Sequence, residues 1–221
     1  MIHLYGVAED LEGLPDVAGL EEAPLERRRV EGLDLVISRV GVDLPELSTG
    51  AVLRHAEVVE EILSRSRSML PAQFGRAFAD EEELARTVRA KAPELRRSLS
   101  RVSGCVEFGL RVVGSENGSG NGPAAGSGRD YMRARLADEK QRERLSSELH
   151  EPLTHLSRES AKFSSGPSEL LVSAYLVPFA DAEAFAGRMR QLETEHPELT
   201  LVCTGPWPPY TFAGELQGEQ G

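Results

Sequence analysis

The chain has 221 residues and a formal net charge of −11, and its 40 % hydrophobic and 28 % charged side chains are typical of a globular protein with one large or two small domains. This composition excludes a disordered or collagen-like chain. The acidic balance argues against a nucleic-acid binder and against docking on anionic lipid, because both need clustered basic residues.

The first residues predict a β-strand at 2–7. No basic segment, long apolar stretch or cleavage site of small residues stands there, so we expect no secretion signal. The most apolar run, residues 170–180, is about half as long as the roughly 20 residues that cross a membrane, and we expect no membrane span. Cys105 and Cys203 lie far apart in two apolar segments, which predicts buried thiols in a reducing cytoplasm.

The next segment predicts a β-hairpin. The runs 25–30 and 33–40 carry apolar side chains in alternation and are separated only by Glu31 and Gly32. Glycine readily adopts the positive φ that a two-residue turn requires. We therefore expect two antiparallel strands here.

An amphipathic helix follows the hairpin. Val52, Val59 and Leu63 recur at helical spacing, and Ser48 or Thr49 can serve as the N-cap. Such a stripe packs one face of a helix on a core.

A second helix ends the first half. Before it, residues 69–75 predict a short extended segment, because Pro71 disfavours a helical residue in front of it. The helix opens at Asp80, whose side chain can cap it, and we expect Pro93 to interrupt it. We place the domain boundary at about residues 97–103.

The second half predicts the order β-α-β-α-β, beginning with a strand at 105–113. Its other predicted elements are a helix at 130–150, a strand at 169–177, a helix opened by Asp181 and a strand at 199–204. In the helix after Asp181, we expect one apolar face formed by Phe185, Met189 and Leu192. The glycine-rich stretch 114–128 cannot bury enough apolar surface to offset the entropy of ordering, which predicts a flexible insertion. The predicted fold is α+β in two small domains, at 1–100 and 101–213, with a polar tail at 214–221.

No motif predicts catalysis, a cofactor or a metal. The glycine-rich stretch lacks the GK[ST] ending and the G-x-G-x-x-G spacing of phosphate-binding loops. His150 and His155 are five residues apart, whereas a zinc-protease helix places its histidines four apart, so we expect two exposed histidines instead of a metal site. No serine stands in a G-x-S-x-G turn. We therefore expect no catalytic residue, no cofactor and no metal.

The segment Pro-Trp-Pro-Pro-Tyr at 206–210 is the most distinctive surface candidate. One interpretation is a polyproline ligand for an aromatic groove. The alternative, which we favour, is that the segment leaves the last strand and packs its aromatic side chains on the domain.

Four segments together resemble a known family. They are LYGV at 4–7, HAEVV at 55–59, MLPAQFG at 69–75 with FADEEEL at 78–84, and GPWPPYTF at 205–212. In order and spacing they are similar to the gas vesicle protein GvpF/GvpL family over about residues 2–212. The family usually reads closer to LPLRFGT, where this chain has Ala72 and Gln73, and the glycine-rich stretch is not a family signature.

The resemblance implies an accessory, non-enzymatic protein of gas vesicle formation. Such a protein binds the small hydrophobic shell protein GvpA and other accessory proteins as an assembly factor, chaperone or minor structural component, in the cytoplasm and at the vesicle. It also implies a two-domain α+β fold with a ferredoxin-like C-terminal domain. On this interpretation the candidate partner-binding residues are Phe74, Trp207, Tyr210 and Phe212.

Two alternatives belong to other classes of protein. One is a small α+β enzyme, and the other is a ligand-binding regulatory domain, each with a pocket between the two domains. The enzyme would gain support if His55, Glu57 and Arg76 met in one concave site with perturbed titration.

Overall fold

The computed structural model describes residues 1–41, 47–114, 128–164, 166 and 169–214. These residues form a mixed α+β structure, which confirms the predicted fold class. The expected flexible insertion and polar tail lie almost entirely outside the described residues. The chain divides into two compact units: Met1–Val106 together with Trp207–Gly221, and Glu107–Pro206. Residues 207–213 thus belong to the first unit, whereas the sequence-based division assigned them to the second.

The described residues of the first unit contain five strands in one sheet and two α-helices. They are β1 (Ile2–Glu9), β2 (Leu25–Val30), β3 (Leu33–Arg39), α1 (Thr49–Ser64), β4 (Ser68–Pro71), β5 (Ala77–Phe78) and α2 (Glu81–Val102). The sheet order is β2-β3-β1-β4, and the short β5 also pairs with β1. All these pairings are antiparallel.

The predicted hairpin is confirmed. β2 and β3 pair directly from Val30↔Leu33 outwards. The two residues between them, Glu31 and Gly32, have φ of 51° and 78°, so both adopt the left-handed conformation of a tight turn. Beside the turn, the Arg27 guanidinium holds the buried Asp34 carboxylate through two hydrogen bonds of 2.9 and 2.6 Å.

Both helices of the first unit begin at the predicted caps. The Ser48 hydroxyl accepts a hydrogen bond from the Ala51 amide, and the Asp80 carboxylate accepts one from the Glu83 amide at 2.8 Å. The expected interruption at Pro93 is wrong, because α2 runs unbroken to Val102. Pro93 lies on the exposed face of α2, where water can reach the carbonyl that its missing N–H leaves unpaired.

The remaining strands and α-helices of the described residues lie in the second unit, except for the ends of two strands. These elements are β6 (Cys105–Val113), α3 (Gly128–Thr154), β7 (Glu159–Lys162), β8 (Glu169–Pro178), α4 (Ala182–Glu195) and β9 (Thr200–Trp207). The first two residues of β6 and the last residue of β9 belong to the first unit. The sheet order is β7-β8-β6-β9. The element order is therefore β-α-β-β-α-β, and the expected β-α-β-α-β order is wrong by one strand. The missed strand, β7, pairs antiparallel with β8 from Glu159↔Leu176 to Lys162↔Ser173.

The core of the second unit is built on aromatic rings. Phe185 of α4 meets Phe108 of β6 and Tyr175 of β8 at centroid distances of 4.9 and 5.2 Å. Phe185, Met189 and Leu192 are all buried, which confirms the apolar face predicted for α4. Among the described residues, no helix is both long and apolar enough to cross a membrane.

Candidate functional site

Two histidines meet in the core of the first unit. His3 of β1 and His55 of α1 are only 0 % and 2 % exposed. The His55 Nε2–H donates to the Ala72 carbonyl at 2.9 Å, so its Nδ1 must accept the hydrogen bond from His3 Nε2–H, also at 2.9 Å. With these tautomers, His3 Nδ1 is a buried acceptor that has no partner among the described residues.

Aromatic rings enclose the histidine pair. Tyr5 stacks on His55 with 5.3 Å between ring centroids, and the Phe74 ring lies 6.1 Å from His3 and 5.8 Å from His55. The Tyr5 hydroxyl in turn accepts a hydrogen bond of 2.7 Å from the Leu20 amide. The buried pair is therefore packed between two aromatic rings.

Burial keeps both imidazoles neutral at physiological pH. It lowers the pKa of His3 from 6.5 to about 3, with a further contribution from the neighbouring His55. Burial also lowers the pKa of His55, against the opposing effect of its hydrogen bond to Ala72. A neutral, enclosed imidazole pair links β1, α1 and the segment after β4, and this geometry suits a structural role better than proton transfer to a substrate.

The residues that would support an enzyme do not form one concave site. His55 faces the core, whereas Glu57 is exposed and pairs with Arg54 at 2.7 Å. Arg76 lies with its guanidinium 5.0 Å from the centre of the Phe78 ring. This arrangement does not favour the enzyme alternative.

The four candidate partner-binding aromatics all belong to the first unit. Phe74 and Tyr210 are partly buried and pack against one core cluster beneath α1. Phe212 is only 3 % exposed, and its carbonyl accepts a hydrogen bond from the Arg101 guanidinium. Trp207 is 47 % exposed. The end of the closing segment is thus packed, as the interpretation we favour predicts, while its tryptophan stays accessible. The polyproline-ligand interpretation stays a prediction.

A second polar network lies inside the second unit. The Tyr175 hydroxyl donates to His150 Nδ1 at 2.7 Å and accepts a hydrogen bond from the Ser173 hydroxyl at 2.9 Å. Burial, aided by the charge of Lys162, lowers the pKa of His150 to about 4, and burial raises the pKa of Tyr175 to about 12. The expectation of two exposed histidines is correct for His155 but wrong for His150.

The two cysteines differ in accessibility. Cys105 is buried, as predicted, but Cys203 is exposed, so the expectation of a buried thiol there is wrong. The physical reason is that β9 is the outermost strand of its sheet. Within the described parts of the chain, no three histidine, cysteine or acidic side chains are placed so that they could hold a metal ion.

Comparison with known proteins supplies the functional context. The family model described as gas vesicle synthesis protein GvpL/GvpF matches residues 1–214. Gas vesicle protein F1 of Halobacterium salinarum is 29 % identical, over 96 % of this chain and 92 % of its own length. Gas vesicle protein L of a Streptomyces species is 28 % identical, over 95 % of this chain and 81 % of its own length.

Two crystal structures share the fold. GvpF of Anabaena superposes with a TM-score of 0.82 at 17 % identity, covering 96 % of this chain and 95 % of that one. GvpF of Microcystis aeruginosa gives 0.79 at 16 % identity, covering 96 % and 98 %. Because the family model spans nearly the whole chain, this protein belongs to the GvpL/GvpF family of gas vesicle proteins.

Proposed function

We propose that this protein is a non-enzymatic assembly factor that binds the small apolar shell protein GvpA, and other accessory proteins, in the cytoplasm during gas vesicle formation. Family membership supports a role in gas vesicle formation. The observation that carries the binding role is Trp207, the one tryptophan of the chain, which leaves nearly half of its surface exposed beside a closing segment that is packed into the first unit. Exposed tryptophans held on a rigid support are typical centres of protein interfaces.

The physical chemistry of the shell protein explains why such a binder is useful. A small apolar subunit that builds a β-rich shell exposes strand edges and apolar surface before it is incorporated, and such edges template aggregation. A partner that covers this surface delays the aggregation. The net charge of −11 keeps the resulting complex in solution through mutual repulsion.

The aromatic candidates have different parts in this proposal. Trp207 provides the exposed contact, and Phe74 and Tyr210, which are partly buried, extend it where their edges are accessible. Phe212 anchors the segment in the first unit through its buried ring. For the second unit, the β-α-β-β-α-β order and the sheet order β7-β8-β6-β9 support a ferredoxin-like module.

A binding measurement with purified GvpA tests the proposal. We expect Trp207→Ala to weaken the affinity by at least about tenfold, as truncation of an interface tryptophan commonly does. Phe179→Ala is the matched control, because Phe179 is also an exposed aromatic, at 72 %, but lies in the second unit. Phe179→Ala should leave the affinity for GvpA unchanged. Neither variant should lower the urea concentration at which the protein unfolds.

Two results would contradict the proposal. If the intact protein neither binds GvpA saturably nor delays its aggregation at equimolar ratio, the assembly-factor role is wrong. If Trp207→Ala and Phe179→Ala weaken binding equally, the binding role stands but Trp207 is not its centre.

A further inference from the structure

The outermost strand of the second sheet has an unusual edge. β9 pairs with β6 alone within the described sheet, so its other side presents backbone N–H and C=O groups that pair with no strand there. Proteins ordinarily protect such edges with charged side chains, above all lysine. Residues 200–207, Thr-Leu-Val-Cys-Thr-Gly-Pro-Trp, contain no charged side chain, although 28 % of the whole chain is charged.

Only the first half of β9, Thr200–Thr204, is suited to pairing with another strand. Gly205 has a φ of 109°, and Pro206 has no N–H to donate, so an added strand finds a regular row of backbone groups only as far as Thr204. Within Thr200–Thr204, Leu201 is buried, while Val202 is 45 % exposed. Leu201 thus anchors the strand in the core, while the residues next to Leu201 in the sequence are accessible.

A close contact joins this edge to the neighbouring strand. The Thr204 side chain lies over Gly109 of β6, where a Cβ on the glycine would come within 2.6 Å of the Thr204 hydroxyl oxygen. Because Gly109 leaves room for this close approach, β9 sits firmly on its neighbour. A fixed edge adds a new strand at a lower entropic cost than a mobile one.

Two glutamates stand close to this edge, one in its electrostatic environment and one in sequence. Partial burial raises the pKa of the exposed Cys203 thiol, and the Glu193 carboxylate of α4 raises it further. Glu193 is exposed, and so is Glu198, which stands two residues before β9. Since a second copy of this chain would bring the same carboxylates to the edge, like charges would oppose self-pairing.

We propose that the free edge of β9 over Thr200–Thr204 takes up one β-strand from a partner chain, in a segment that alternates apolar with basic side chains. Backbone hydrogen bonds provide the affinity in this mode, and the flanking charges select the partner. The inference rests on the proposed function and narrows it, because it assigns the shell protein a strand-pairing site on the same strand that ends at Trp207.

The test uses the exposed Cys203 thiol to report strand pairing and a lysine substitution to prevent it. Saturating GvpA should slow alkylation of Cys203 by about tenfold or more and protect the amides of 200–204 from hydrogen exchange. Val202→Lys should weaken GvpA binding by about tenfold and abolish both kinds of protection, since a lysine on an edge strand opposes pairing. The matched control is Phe163→Lys, which alters an equally exposed apolar residue (48 %) next to β7 at the opposite edge, and it should behave as the intact protein does.

Each other outcome overturns the inference in a distinguishable way. If GvpA binds the intact protein and Val202→Lys equally well and leaves Cys203 reactive, strand addition is wrong and the proposed function stands. If GvpA binds none of the proteins, the proposed function fails and this inference fails with it. If Cys203 becomes protected, or forms an intermolecular disulfide, when the protein is concentrated alone, the occupant is a second copy and the proposed partner chemistry is wrong.

Discussion

The buried histidine pair predicts that acid weakens the first unit over a defined pH range. In the folded protein His3 stays neutral down to a pKa of about 3, whereas in the unfolded chain it takes up a proton near its ordinary value of 6.5. The unfolded state therefore binds more protons between these two values, and stability must fall as the pH falls through this range. Above about pH 6.5 the contribution is fully present, and below about pH 3 no further loss arises from this residue.

The size of the effect follows from the same two values. Each pKa unit corresponds to about 1.4 kcal/mol, so lowering the pH from 7.5 to 5 reduces the free energy of unfolding by about 2 kcal/mol through His3 alone. His55 acts in the same direction, because its pKa is also lowered by burial. A loss of this size is a large fraction of the stability of an ordinary domain.

Urea titrations followed by circular dichroism at the two pH values measure the effect. His3→Gln retains a side-chain donor but cannot be protonated, so we expect a lower stability at pH 7.5 and a pH dependence that is flatter by about 2 kcal/mol. His155→Gln is the control, because His155 is exposed and should leave the difference between the two pH values as it is in the intact protein. If His3→Gln loses as much stability between pH 7.5 and pH 5 as the intact protein does, the assignment of a buried neutral His3 is wrong.

Two further predictions concern stability and are measured in the same titrations. Asp34→Asn should lower the free energy of unfolding by about 2–4 kcal/mol, because the Asp34 side chain is 1 % exposed and is held by Arg27 at 2.6 Å. Asp10→Asn is the control, because Asp10 forms an exposed pair 3.8 Å from Arg67, and it should lower that free energy by less than about 0.5 kcal/mol. Equal losses in the two variants would contradict the argument from burial. Gly6→Ala should lower the free energy of unfolding by about 1–3 kcal/mol, because the new Cβ would come within 2.4 Å of the Met69 methyl group and 2.8 Å of the Leu70 carbonyl oxygen. Gly13→Ala is the control, because a Cβ there meets nothing within 4 Å, and it should be neutral or slightly stabilising. A neutral Gly6→Ala would show that β1 and β4 separate easily.

Features encoded in short segments could be predicted from the sequence. The hairpin turn at Glu31 and Gly32, the cap at Asp80 and the apolar face that includes Phe185 each depend on residues within a few positions of one another. The continuity of α2 through Pro93 also has a local signal, since the apolar stripe of the helix continues on both sides of the proline.

Features that depend on tertiary pairing could not be predicted. β7 is a short polar segment, Glu-Ser-Ala-Lys, and becomes a strand because β8 offers it an edge. His3 gives no local signal, since its partner His55 stands 52 positions later. His150 is buried by Tyr175 from a distant strand, and Cys203 is exposed because β9 ends its sheet. In each case the neighbour that decides the environment is far away along the chain.

The division of the chain into units has a consequence for biosynthesis. The second unit, Glu107–Pro206, interrupts the first, so the ribosome completes it before the last residues of the first unit are made. Those last residues include Pro208, Pro209, Phe212 and Ala213, which are all buried. Until they emerge, the unit that began first lacks part of its core. The unit that is begun first is thus completed last, because part of its core is made only after the whole of the second unit.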